Sequence, residues 1–406
     1  MSAVLLVDIG STVIKLCVSS AGTGLGRVER IDRLPDLPPG EQVRQLIEQR
    51  HGEPADGPVR VCSSAHGGLR VGILGLTRRH STTAATRAAL DAGGNVSYQA
   101  LLGTPPTEPL PEVDVLVLVG GVDGADHRWL RTALADTKLA DFPHGVLVWA
   151  GADAAEVLAA LPEHRRVGNV LDHRLRAQPD GLTGLVRELY LDDLIDRKGL
   201  RALAGRLDGQ LWPTPAAVGL AAHRLSRRQL PIRCPAPFVV VDVGGATTDV
   251  YYCTELGDAG LPAGSSIQRE VYTDLGVVGS GAGLLARLAG TPDLLELVAA
   301  VAPDAPRALH YAIADSDPDA LAPPTGFLSC LFLALRRLAA EHRLNLAAAA
   351  GFLITGGAWR GASLPAIRRV IAAAVDCRPE IVPHVVLDQD YLMWAYGLQP
   401  GAEQDG

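Results

Sequence analysis

The feature that most constrains this chain is a unit that occurs twice. Val4 to Val7, Asp8-Ile9-Gly10-Ser11-Thr12 and Val13 to Val18 read as strand, turn and strand, and Phe238 to Val241, Asp242 to Asp249 and Val250 to Cys253 repeat the pattern. In each copy a carboxylate stands at the end of an apolar run, followed by small residues and then hydroxyls. Small residues let the backbone come close to a ligand. Successive N–H groups in such a turn form an anion-binding concavity. Two facing turns can hold a polyphosphate between them, with Asp8 and Asp242 holding Mg²⁺ through water. A third piece, Leu353-Ile354-Thr355-Gly356-Gly357-Ala358, is a strand followed by a glycine pair, suited to close approach of a flat nucleotide. Each piece alone is ordinary hairpin chemistry. All three in order, each after an apolar strand, reverse that balance. Lys15 adds weight, because it is one of only three lysines (with Lys138 and Lys198) among 37 basic residues.

Between the two copies the pattern changes. Apolar runs at Leu69 to Leu76, Val113 to Val119 and Val146 to Ala150 alternate with helical segments at Ser81 to Ala92 and Asp153 to Leu161. Such alternation implies a parallel sheet covered on both faces. Residues 180–230 read as mostly helical, a long helix is expected near Gly326 to Ala349, and a final one near Gln389 to Leu398. The expected organisation is the start of a first lobe at 1–58, an inserted α/β segment at 59–175, the helical remainder of the first lobe at 176–235, and a second lobe at 236–406.

Composition narrows the function. With 406 residues, 48% hydrophobic and 20% charged, the chain can bury a substantial core. Aromatics at 4% leave little for stacking on single-stranded nucleic acid, and a net charge of −8 argues against a nucleic-acid footprint. No apolar run approaches a bilayer span. Six scattered cysteines without a CxxC pair suggest neither zinc nor a disulfide framework, and eleven histidines show no HExxH spacing. A cytoplasmic protein is expected, without nucleic-acid or membrane partners.

The three motifs together resemble those of the actin-like ATPase superfamily of actin, Hsp70 and sugar kinases. The likeness matches Asp8, Gly10, Ser11, Thr12 and Lys15 to a phosphate-1 motif. It matches Asp242, Gly244, Gly245, Thr247 and Asp249 to phosphate-2, and Gly356 and Gly357 to the adenosine motif. It implies an α/β, two-lobed actin-like (ribonuclease H-like) ATPase fold with an inserted α/β segment in the first half. ATP and Mg²⁺ are then expected between the lobes. Asp8 and Asp242 organise the metal and the attacking water. Lys15 with Ser11, Thr12, Thr247 and Thr248 holds phosphate, and Asp249 supports the second loop. Ala246 stands where phosphate-2 often has a third glycine.

That departure, in Asp242-Val243-Gly244-Gly245-Ala246-Thr247-Thr248-Asp249-Val250, is similar to the glutamate (methylaspartate) mutase accessory protein family, GlmL/MutL. So are Cys62 to Leu69, Gly120-Gly121-Val122-Asp123-Gly124, Val167 to Leu171 and Trp212 to Val218, although His66 and Val277-Val278-Gly279 depart from its pattern. The resemblance implies an ATP-binding reactivating chaperone for an adenosylcobalamin-dependent mutase, driven by slow hydrolysis. A small-molecule kinase using the same cleft and a non-hydrolysing actin-like scaffold are the alternatives. Elsewhere, Ser63-Ser64 with Gly67-Gly68 reads equally as a second ligand loop or as a turn feeding the next strand. Asp123 reads as a ligand-facing residue or, preferably, as the N-cap of the next helix.

Overall fold

The computed structural model describes residues 3–400 except 11–12, 21–23, 35, 50–57, 64–68, 105–111, 198–210, 246, 258–266, 273, 278–283, 285–286, 289, 302–322, 381 and 383. The chain opens with β1 Val4–Ile9, β2 Val13–Ser20, β3 Gly24–Leu25, β4 Glu29–Asp32 and β5 Val59–Ser63. It continues through β6 Arg70–Gly75, β7 Asn95–Leu101, β8 Val113–Val119, β9 His144–Trp149 and β10 Arg165–Arg166 before β11 Trp212–Pro213. The last strands are β12 Phe238–Val243, β13 Thr248–Cys253, β14 Ile267–Tyr272, β15 Gly351–Thr355 and β16 His384–Leu387.

Three sheets result. The first has the order β11-β5-β1-β2-β3, with β4 also on β2, and another has β14-β13-β12-β15-β16. In both, the first strand pairs antiparallel with the next and parallel with a later one. The duplicated sequence pattern is therefore a duplicated topology, the same strand arrangement built twice in a mixed α/β chain. The middle sheet, β10-β9-β8-β6-β7, is wholly parallel and lies in the chain between β5 and β11. Its central strands β6, β8 and β9 carry nearly continuous apolar runs because both of their faces are covered.

The two outer sheets meet across a shared core. Leu6 and Cys17 of the first and Phe238, Val240 and Leu353 of the other pack with Ala217, Val218 and Ala221 of the helix Thr214–Ser226, and with Met393 and Leu398 of the helix Met393–Leu398. The two helices approach so closely that a Cβ on Gly397 would overlap the Ala217 carbonyl. Any motion of one lobe against the other bears on this pair.

Two helix ends differ from expectation. The long helix spans Pro323–His342 and stops early, because Arg343 takes φ +53° and the Leu344 N–H turns back to the Ala339 carbonyl. The final helix begins at Met393 instead of near Gln389. Asp388 accepts the Leu392 and Met393 N–H groups at 2.8 and 3.0 Å and so sets the start. Among the described residues, no helix is long and apolar enough to cross a membrane.

Candidate functional site

The two hairpin turns are built alike. The Gly10 N–H donates to the Val13 carbonyl at 3.0 Å and the Gly244 N–H to the Thr247 carbonyl at 2.9 Å. Asp8 then pairs across the hairpin with Lys15, and Asp242 with Asp249. On the parallel side Asp8 lies beside Cys62, and Asp242 beside Thr355. The frame is the same in both copies, but the cross-strand partner is a cation in one and an anion in the other.

In the first copy the charges are matched. Asp8 is fully buried and accepts the Lys15 ammonium at 2.6 Å on Oδ2, with the Thr214 hydroxyl at 2.6 Å and the Cys62 thiol at 3.4 Å on Oδ1. Burial pulls the Lys15 ammonium down, but the Asp8 carboxylate outweighs it and the net shift is upward. Burial, and then the Asp8 charge, push the Cys62 thiol well above its usual range, which keeps it a donor.

The second copy has no such balance. No described residue hydrogen-bonds the Asp242 carboxylate. Desolvation first, then the charge of Asp249, raise its pKa to about 7, against the opposing pull of Lys15. Asp249 is held from elsewhere: Arg269 on β14 pairs with its Oδ1 at 2.6 Å, and the Thr247 hydroxyl donates to its Oδ2 at 3.2 Å. The same Arg269 also donates to the Leu90 carbonyl in the first half of the chain. Gly356, at φ +87°, passes directly beside Asp242. A Cβ there would meet the Asp242 carboxylate and lie 2.7 Å from the Val243 carbonyl, so only glycine fits.

The mouth of the cleft carries an aromatic group with cations around it. Tyr391, at φ +56°, stacks on Trp359 with ring centroids 6.2 Å apart, and its hydroxyl donates to the Gly357 carbonyl at 3.0 Å. Arg30 of β4 and Arg360 lie 4.1 and 4.9 Å from its ring centroid. Arg30 thus reaches from the first sheet to the far lobe.

Of the residues singled out in the sequence, Asp8, Lys15, Asp242, Gly244, Thr247, Asp249, Gly356 and Gly357 line one cavity of about 140 Å³. Gly10 shapes the first turn and Gly245 is exposed at the tip of the second. Ser11, Thr12, Ser64, His66, Gly67, Gly68, Ala246, Val278 and Gly279 lie outside the described residues. Thr248 is turned the other way: it is fully buried and its hydroxyl donates to the Leu275 carbonyl at 2.6 Å, so the expectation that it holds phosphate is corrected. Asp123 does not cap the helix Arg128–Asp136. It accepts the Asp153 N–H at 2.8 Å and the Asn169 amide at 3.3 Å. Sequence reasoning missed Cys62 as a partner of Asp8, and Thr214, Arg269, Asp388 and Tyr391 altogether. Asp388 accepts the Thr355 hydroxyl at 2.8 Å, which steadies the strand end before Gly356. Thr214 carried a signal, since it stands between Pro213 and Pro215 at the opening of a helix.

The family described as MutL protein matches residues 4–313. "Protein MutL" of Clostridium tetanomorphum is 31% identical over 270 residues, which cover 62% of this chain and 58% of that protein. The chain thus matches a little over half the length of that relative. Among solved structures, component A of (R)-2-hydroxyglutaryl-CoA dehydratase from Acidaminococcus fermentans is 11% identical, with a TM-score of 0.37 and coverage of 100% and 99% of the two chains. A glycerol dehydratase reactivase is 10% identical, with a TM-score of 0.39 and coverage of 99% and 100%. At these scores neither bears on the chemistry of the cleft.

Proposed function

The chain belongs to the MutL protein family, and from that premise we propose that it is an ATP-binding accessory protein that reactivates an adenosylcobalamin-dependent mutase, the glutamate mutase type foremost. The observation that carries the nucleotide part is the facing pair of hairpins. Lys15 offers a cation beside the two turns, and Asp242 offers a carboxylate without a hydrogen-bond partner among the described residues.

The residues present fit Mg²⁺ bound together with phosphate, and not Mg²⁺ alone. Among the described residues no cluster of three or more metal-ligating side chains exists, and Mg²⁺ commonly sits on one or two carboxylates plus phosphate oxygens and water. Asp242 is the carboxylate free to serve. Both oxygens of Asp8 are engaged, so its part is to fix Lys15. When bound, the ion neutralises charge between the phosphates. Thr247 and the two turns orient the phosphate chain, Gly356 and Gly357 admit the nucleoside, and Tyr391 closes the mouth.

A cavity of about 140 Å³ is smaller than the roughly 300–1,000 Å³ of small-molecule sites. Nucleotide entry therefore parts the lobes, and the helices Thr214–Ser226 and Met393–Leu398 take up the movement. A nucleotide with different affinity for the open and closed forms drives that change. This is the kind of work needed to expel a damaged cofactor from a client enzyme.

The test is ATP hydrolysis by the purified chain, alone and with a mutase inactivated by cyanocobalamin. Stimulated turnover together with recovered mutase activity is the expected result. Asp242→Ala should abolish turnover. Near-normal hydrolysis by that variant, at equal folded protein, would remove the cleft as the site. ATP binding without stimulation by any mutase would remove the client.

A further inference from the structure

A second cavity, of about 370 Å³, lies on the other side of the helix Thr214–Ser226, and Pro215 lines both. Its volume is within the range of small-molecule sites. Its walls come from distant parts of the chain: Arg87 from the helix Thr83–Asp91, Arg187 from the helix Asp180–Arg197, Trp212 from β11, Leu220 from the helix Thr214–Ser226, and Arg269 from β14.

The charge arrangement there is unbalanced. Arg269 is already paired with Asp249. Arg87 and Arg187 make no ion pair among the described residues, and Asp91 is the single carboxylate in the lining. The Arg187 guanidinium lies 5.3 Å from the Trp212 ring centroid, and its Nε–H is buried with no acceptor among the described residues. A buried donor without an acceptor is costly, and burial holds the Arg187 pKa below its ordinary value. A guanidinium fork matches a carboxylate or phosphate group in two-point geometry. The indole and Leu220 suit an apolar body beside that head group.

We infer that this cavity binds a small organic anion, a carboxylate or phosphate ester with an apolar body, whose head group is held by Arg187 and Arg87 and whose body lies against Trp212 and Leu220. The site is separate from the nucleotide cleft and does not depend on the chain's use of ATP.

Calorimetric titration of the full chain with benzoate, phenyl phosphate and uncharged benzamide tests this. At least one of the two anions should bind, at least about tenfold more tightly than benzamide. Arg187→Gln should weaken that anion by a similar factor, while its circular dichroism and ATP affinity stay as in the parent. Preference for benzoate or for phenyl phosphate assigns the head group. Equal binding of benzamide, an unchanged anion affinity in folded Arg187→Gln, or no binding of either anion up to about 10 mM would each overturn the inference. Should Arg187→Gln fail to fold, Arg87→Gln with Trp212→Phe gives the same comparison.

Discussion

Asp242 should make the protein less stable as pH rises, and the size of the effect follows from its surroundings. An ordinary aspartate in an unfolded chain titrates near 3.8, whereas desolvation and Asp249 lift Asp242 to about 7. Between those values the folded state binds more protons than the unfolded one, so unfolding free energy falls with rising pH. The penalty is absent below the lower value and complete above the higher one. A shift of roughly three units at about 1.36 kcal/mol each puts its ceiling near 4 kcal/mol. Asp242→Asn keeps the shape of the protonated carboxyl and cannot ionise. Urea unfolding of parent and variant should therefore show the variant more stable, with a gap that widens by about 2 to 3 kcal/mol from pH 5 to pH 8. Contributions of other titrating groups cancel to first order in that difference. A gap independent of pH, or one that narrows as pH rises, would refute the assignment of Asp242 as a carboxylate strained by its neighbours.

Other substitutions test other parts of the cleft. Lys15→Met leaves buried Asp8 with only Thr214 and Cys62. It should cost about 3 kcal/mol in urea unfolding, and it should weaken ATP in equilibrium titration. Gly356→Ala adds a Cβ against Asp242 and the Val243 carbonyl at positive φ; a loss of about 2 kcal/mol is expected, along with ATP affinity. Arg269→Gln removes the cation on Asp249 and the bond to the Leu90 carbonyl, so hydrogen exchange should accelerate at β14 and at the end of the helix Thr83–Asp91.

How much of this was readable in the sequence depends on chain distance. Each hairpin is a local object: the apolar run, the acid and the small turn residues are contiguous, and the fold followed from finding the unit twice. The parallel partners were not local. Cys62 and Thr355 come to lie beside Asp8 and Asp242 only after long crossovers, and Thr214 reaches Asp8 from 206 positions away. Arg269 offered only an ordinary strand pattern, because its value comes from a pairing that the sheet creates. Thr248 was misread for a different reason. Successive side chains of a strand face opposite ways, so of Thr247 and Thr248 only the first can look into the cleft. The start of the last helix was missed because Asp388, which accepts the Leu392 and Met393 N–H groups, lies four and five positions before them and was not recognised as their acceptor.

The difference between the two hairpins is what gives the cleft its chemical direction. Four carboxylates stand in or beside it, and three are satisfied: Asp8 by Lys15, Thr214 and Cys62, Asp249 by Arg269 and Thr247, and Asp388 by Thr355 and two backbone N–H groups. Asp242 alone has no hydrogen-bond partner among the described residues, because the cross-strand position that holds Lys15 in one copy holds Asp249 in the other. A duplicated frame with symmetric side chains would either neutralise both turns or repel an anion from both. Exchanging one cation for an anion leaves one turn whose charges are matched around Lys15 and one that favours a proton or a cation. On the proposed reading, a divalent ion arriving with the polyphosphate meets that second demand.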